Sequence, residues 1–173
     1  PYAAVAPEVD EGAIKAVHRG SDAELAIALA EAKALSVASR HSDAMVIGSD
    51  SVVSVDGRRF SKPAGRESAV EHLRFFSGKC MQLTSAVALA RGGAVEWRAA
   101  QTAELHVRPL SEEFIQNYLD SDWPEVSYCV GVFRLEGPGV QLFEKIEGDH
   151  FTILGLPLLP LFGALRERGV LVS

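Results

Sequence analysis

The chain is poor in the residues that most often announce a mechanism. It has two cysteines, Cys80 and Cys129, far apart and outside any C-x-x-C arrangement. That excludes a disulfide-framed fold and reads as two small buried hydrophobes in a reducing, cytoplasmic setting. Its five histidines are scattered and no H-E-x-x-H occurs, which argues against a zinc site. No G-x-S-x-G is present, since "GSDSV" puts Asp50 where a nucleophile elbow needs serine. Neither G-x-x-x-x-G-K-[ST] nor G-x-G-x-x-G occurs, so the P-loop and Rossmann readings fail. No apolar run approaches membrane-spanning length, and no signal-peptide pattern opens the chain. Basic residues are outnumbered, 17 Lys and Arg against 23 Asp and Glu, which excludes general binding to a nucleic-acid polymer.

What is present is an ordinary globular composition, 47% hydrophobic and 23% charged over 173 residues. That length supports one domain, or two small lobes sharing a cleft. "YAAVAP" (2–7) reads as a short strand running into an acidic loop, "PEVDEG". Ser21 and Glu24 form an S-x-x-E capping box ahead of a helix to about residue 39. Its expected buried stripe is Leu25, Leu29, Ala32 and Ser36, with Lys33 beside it and able to reach past the helix edge. "AMVIGSD" reads as a buried strand ending at Asp50, followed by a hairpin, "VVSVDGRRF", turning at Asp56-Gly57. A helix over 66–76 with Ala69, Val70, Leu73 and Phe76 inward stops at Gly78. Two long strands joined at Gly92-Gly93 follow, then a helix capped by Ser111. The apolar "LGLPLLPLFGAL" reads as a packed terminal helix over 157–168, part of it facing a second subunit. Trp97 and Trp123 read as packing residues. This mixture without strict βαβ alternation predicts a mixed α/β fold, a twisted central sheet flanked by helices.

An ionised carboxylate at the end of an apolar run is costly unless a cation compensates it. Asp50 is such a carboxylate, and the hairpin is expected to return Lys62 of the Lys62-Pro63 pair toward it. Glu11, Lys33 and Glu136 stand at other element ends. Carboxylate oxygens suit Mg²⁺ or Mn²⁺, which bridge polyphosphate oxygens, and lysines add point charges for the same phosphates. A cation with a carboxylate that positions water is sufficient to hydrolyse a phosphoric anhydride. Taken singly, each of these residues is equally a solvated surface charge.

Their order carries more. "APEVDE" (6–11), "LAEAKA" (29–34), "IGSDSVV" (47–53), "KP" (62–63) and "EGDHFTILGLPL" (147–158) together resemble the Maf family, the septum-formation-inhibitor-like nucleotide pyrophosphatases. The resemblance implies a single Maf-like domain over 1–173, with a cleft between two lobes, that hydrolyses nucleoside triphosphates to monophosphate and pyrophosphate. It implies Asp50 as general base, Glu11 with Asp50 at a divalent cation, and Lys33 and Lys62 at the phosphates. It also implies a cytoplasmic homodimer with a house-cleaning role, and a link to cell division.

Ser51 and Glu136 occupy the two positions that distinguish substrates in the family. The glutamate resembles the subgroup that prefers 7-methyl-GTP, whose cationic imidazole ring a carboxylate would attract. That subgroup usually has glutamine where Ser51 stands. The family's opening S-x-S-P-R-R motif should lie just before residue 1, and an N-terminal segment carrying it is expected. The alternative is a nucleotide-binding regulator of septum formation with weak catalysis. A phosphatase releasing orthophosphate from monophosphate esters is a third reading that no residue requires.

Overall fold

The computed structural model describes residues 2–172. Five strands form one sheet in the order β2-β1-β3-β4-β5: β1 Val46–Val55, β2 Arg58–Phe60, β3 Cys80–Arg91, β4 Ala94–Val107 and β5 Phe143–Glu147. Six helices accompany them: α1 Glu11–Val17, α2 Asp22–Ala38, α3 Arg66–Phe76, α4 Glu112–Asp122, α5 His150–Ile153 and α6 Leu158–Glu167. Short 3₁₀ turns lie at Glu125–Tyr128 and Pro138–Leu142. Both edge ladders, β1/β2 and β4/β5, are antiparallel. The α/β class read from the sequence is therefore the class observed.

The chain divides into two compact units. The first comprises residues 1–51, 84–101 and 149–173. Here Val87 and Leu89 of β3 pack with Leu161, Ala164 and Leu165 of α6, and Trp97 covers them, a packing role as expected. Pro157 is the N-cap of α6 and Gly169, at φ +67°, follows its end. The expected capping box of α2 is present: Ser21 Oγ accepts from Glu24 N while the Glu24 carboxylate accepts from Ser21 N at 2.7 Å.

Four details of the first unit differ from expectation. Residues 2–7 form no strand, because a strand needs a ladder and this stretch is tied instead to the end of α2. There Ser36 Oγ accepts from Glu8 N, and Arg40 donates to the Glu8 carboxylate and the Ala6 carbonyl. The acidic "VDEG" is not a loop but the start of α1, since Asp10 Oδ1 accepts from Ala13 N at 2.9 Å and caps it. The buried face of α2 is Leu25, Ala26, Leu29, Ala30, Ala34, Val37 and Ala38. Ala32 and Ser36 lie outside that stripe, which is turned by a close approach to β1 described below. Finally, Asp50 is not at a strand end, because β1 runs unbroken from Val46 to Val55 and hands the chain directly to the hairpin.

The second unit comprises residues 52–83 and 102–148. Its hairpin pairs Val53 with Phe60 and Val55 with Arg58, turning through Asp56 and Gly57 at φ +51° and +73°. Positive φ at both positions is the signature of the expected type I′ turn. The inward face of α3 is Ala69, Val70, Leu73 and Phe76, as its spacing predicts. Phe60 meets the Phe76 ring edge-on at 4.7 Å between centroids, and Tyr118 of α4 donates its hydroxyl to the Val132 carbonyl at 2.9 Å. Both thiols are half-buried rather than fully buried as expected, for each sits near a charged surface.

Candidate active site

Side chains alternate across a strand, so "GSDS" sends Gly48 and Asp50 to one face of β1 and Ser49 and Ser51 to the other. Gly48 faces α2 at a distance no other residue would permit. A Cβ there would lie 2.3 Å from the Ala30 carbonyl oxygen and 2.6 Å from Ala34 N. The missing side chain lets the helix backbone settle on the strand. Lys33, on that same stretch of α2, then reaches Asp50 and forms an ion pair with its Oδ1.

The Lys33 ammonium also lies 2.9 Å from Glu11 Oε1, and Lys15 lies 3.0 Å from Glu11 Oε2. One cluster therefore joins the first turn of α1, the middle of α2 and the middle of β1. Lys15 was not anticipated from the sequence. Its signal was the i, i+4 spacing from Glu11 in "EGAIK", which places the two on one face of α1.

The carboxylates are in different states. Burial raises the pKa of Glu11, but the two lysines together outweigh it and hold the group at about 2. For Asp50, burial is the dominant influence and outweighs Lys33, so its carboxyl lies above the ordinary aspartate range. Lys33 is held above the ordinary lysine value; burial opposes this, but Asp50 and Glu11 outweigh it. Among the described residues, Asp50 Oδ2 is buried and has no hydrogen-bond partner. A buried oxygen of this kind, on a carboxylate only 11% exposed, is set to accept from a ligand or to coordinate one.

The opposite face of β1 is held by hydroxyls. Ser49 Oγ is 2.8 Å from the Ala86 carbonyl and 2.7 Å from the Gly155 carbonyl. Ser85 donates to the Thr152 carbonyl, so in the 2.7 Å contact between Ser51 and Ser85 it is Ser51 that donates. Ser51, one of the two expected specificity positions, is thus engaged with "DHFTILG" through Ser85. Beside Lys33 a cavity of about 770 Å³ runs along residues 44–49 of β1 and its approach, and Tyr2, His41 and Leu156 close it. That volume is within the range of small-molecule sites.

Lys62 and Glu136 belong to the second unit. Lys62 follows β2 by two residues and is exposed, while its neighbour Pro63 is buried and anchors the loop. Glu136 is exposed. The two share surroundings, since both act on the Cys129 thiol: burial raises its pKa most, Glu136 adds to the rise, and Arg134 and Lys62 oppose it. The six residues expected from the sequence thus fall into two groups. Glu11, Lys33 and Asp50 meet, with Ser51 on the other face of the same strand, and Lys62 and Glu136 share surroundings within the second unit.

The chain that sets this unsaturated aspartate beside a lysine is matched by the family model of Maf-like proteins over residues 1–168, and it belongs to that family. Among its relatives is the 7-methyl-GTP pyrophosphatase of Rhizobium meliloti (strain 1021), 47% identical over 173 residues that cover 98% of this chain and 87% of the relative. The enzyme of that name from Rhizobium etli is 48% identical over 95% of this chain and 84% of its own length. The nucleoside triphosphate pyrophosphatase of Sphingopyxis alaskensis is 43% identical over 98% of this chain and 87% of its own.

Proposed function

We propose that this chain is a nucleoside triphosphate pyrophosphatase: it hydrolyses the α–β phosphoanhydride and releases a nucleoside monophosphate and pyrophosphate. The observation that carries the reading is Asp50, whose Oδ2 is buried without a partner while Oδ1 is held by Lys33. Relatives bearing this activity in their names cover nearly the whole chain.

In this reading Asp50 Oδ2 takes a proton from the attacking water. The water oxygen bonds to the α-phosphorus, the bond from that phosphorus to the bridging oxygen breaks, and pyrophosphate leaves. A carboxyl with a raised pKa is a stronger base once ionised, which suits that task. Lys33 holds Asp50 in place and lowers the negative charge that the phosphates meet. Lys62, exposed on its loop, supplies a second cation for them.

The Asp50 and Glu11 carboxylates would hold a hard divalent cation such as Mg²⁺ or Mn²⁺, because the two groups offer oxygen donors in one cluster around Lys33. Such an ion would screen the phosphate charge and polarise the attacked phosphorus. For substrate we infer 7-methyl-GTP, with Glu136 drawing the cationic base. The chain is read as a single functional domain, cytoplasmic and homodimeric. Among the described residues no helix is long and apolar enough to cross a membrane.

A panel of canonical and methylated triphosphates, assayed for pyrophosphate with Mg²⁺, tests the reading. Pyrophosphate and monophosphate in equal amounts, with 7-methyl-GTP turned over fastest, are expected. Calorimetric binding of a triphosphate without hydrolysis would overturn it in favour of a binding regulator, and release of orthophosphate from monophosphates would overturn it in favour of a phosphatase. Glu136→Gln is expected to narrow the preference for 7-methyl-GTP over GTP.

A further inference from the structure

The second unit brings together three residues of the kinds that ligate metals, one on β3 and two on β4, that belong to no metal-binding motif. Val107 N donates to the Lys79 carbonyl at 2.9 Å, which sets β3 against β4 so that Cys80 comes beside His106. Glu104 and His106, two residues apart, share one face of β4. One ligand atom from each of Cys80, Glu104 and His106 lies within 4.8 Å of the others. Around a tetrahedral ion with thiolate, imidazole and carboxylate bonds of about 2.0–2.3 Å, donor atoms stand roughly 3.3–3.7 Å apart. Small side-chain rotations close that difference.

A third strand contributes the surroundings. Glu147 of β5 stands directly opposite Glu104, and like charges in that position destabilise a ladder. Its Oε2 is 3.0 Å from His106 Nε2 and 2.8 Å from Lys145 Nζ. A carboxylate holding the imidazole of a ligating histidine is the partner that usually orients it. The Cys80 thiol feels the same acidity: burial raises its pKa, and Glu104 and Glu147 add to the rise.

We propose that Cys80, Glu104 and His106 bind a borderline transition-metal ion of the Zn²⁺ or Co²⁺ class, with Glu147 orienting the imidazole. A thiolate and an imidazole select such ions over Mg²⁺, which separates this site from the hard-oxygen pair Asp50 and Glu11. Binding releases the thiol proton to solvent and offsets the Glu104–Glu147 repulsion, so the ion clips β3 to β4. Scattered histidines argue against zinc along the chain; the sheet register brings one of them to a cysteine and a glutamate.

The test is a Co²⁺ titration of the reduced chain followed by optical absorption, with Zn²⁺ as competitor. A thiolate-to-cobalt charge-transfer band that saturates and is quenched by Zn²⁺ is expected. The band should persist in Cys129→Ala and Asp50→Asn and vanish in Cys80→Ser. His106→Gln should weaken the affinity about tenfold or more. Pyrophosphate release with Mg²⁺ should be unchanged in Cys80→Ser, which separates this site from the catalytic one. No band in the parent chain, or a band that survives Cys80→Ser, overturns the proposal.

Discussion

Two aspartates, one in each unit, meet a cation and differ in what is left over. Asp122, at the end of α4, is 2% exposed, and Arg134 binds both of its oxygens. Asp50 gives one oxygen to Lys33 and keeps the other buried and unpartnered. A planar guanidinium can saturate a carboxylate, whereas an ammonium arrives as a point charge and leaves part of it available. The saturated pair pins structure. The unsaturated one retains an unmet acceptor, at a cost in stability that the saturated pair does not carry. Burial alone therefore does not separate the two aspartates; the unmet acceptor on Asp50 does.

The widest gap between the two should open on substitution. Asp50→Asn is expected to lower pyrophosphate release by about 10²–10⁴-fold, the usual contribution of a general base, while circular dichroism shows the fold intact. Near-normal turnover would remove Asp50 as the base. Asp122→Asn should do the reverse, keeping turnover per folded molecule and lowering the melting temperature by several degrees, because Arg134 loses its charged partner and one of its two acceptors.

A smaller effect tests how Lys33 gets to Asp50. Gly48→Ala must push α2 away from β1 and should cost about 1–3 kcal/mol in chemical denaturation, with a loss of turnover as Lys33 withdraws. The smallest effects are in pH dependence, and the carboxylates of the cluster act with opposite sign. Glu11 is depressed, so its pairs add stability above its ordinary value of 4.5 and lose it as pH falls toward about 2. Glu11→Gln should flatten acid unfolding across that window. Asp50 is raised, so stability linked to it declines as pH rises through its folded value. Asp50→Asn never ionises, and at neutral pH it should melt no lower than the parent. The acid limb of the parent's pH–rate profile should lie above the ordinary aspartate range.

Much of the scaffold was legible because its signals are local. The Ser21–Glu24 box, the Asp56-Gly57 turn and the inward face of α3 each need only a few consecutive residues. The capped start of α1 was equally local, in Asp10, but three acidic residues within "PEVDEG" and its leading proline made it read as a loop. The expected strand over 2–7 failed for a different reason, since strand propensity decides nothing where no partner strand is supplied.

The amino-acid order by itself determined the α/β class, the family, and the choice of Glu11, Lys33 and Asp50, because propensity, capping and motif order are properties of the chain read in line. Only the tertiary structure decided which of these side chains meet. Lys33 touches Asp50 because a glycine two residues earlier in β1 lets α2 sit against the strand. His106 meets Cys80 because β4 pairs with β3 in one register and not in another. Approach distance and strand register arise between segments distant in the chain, so no stretch of sequence contains them.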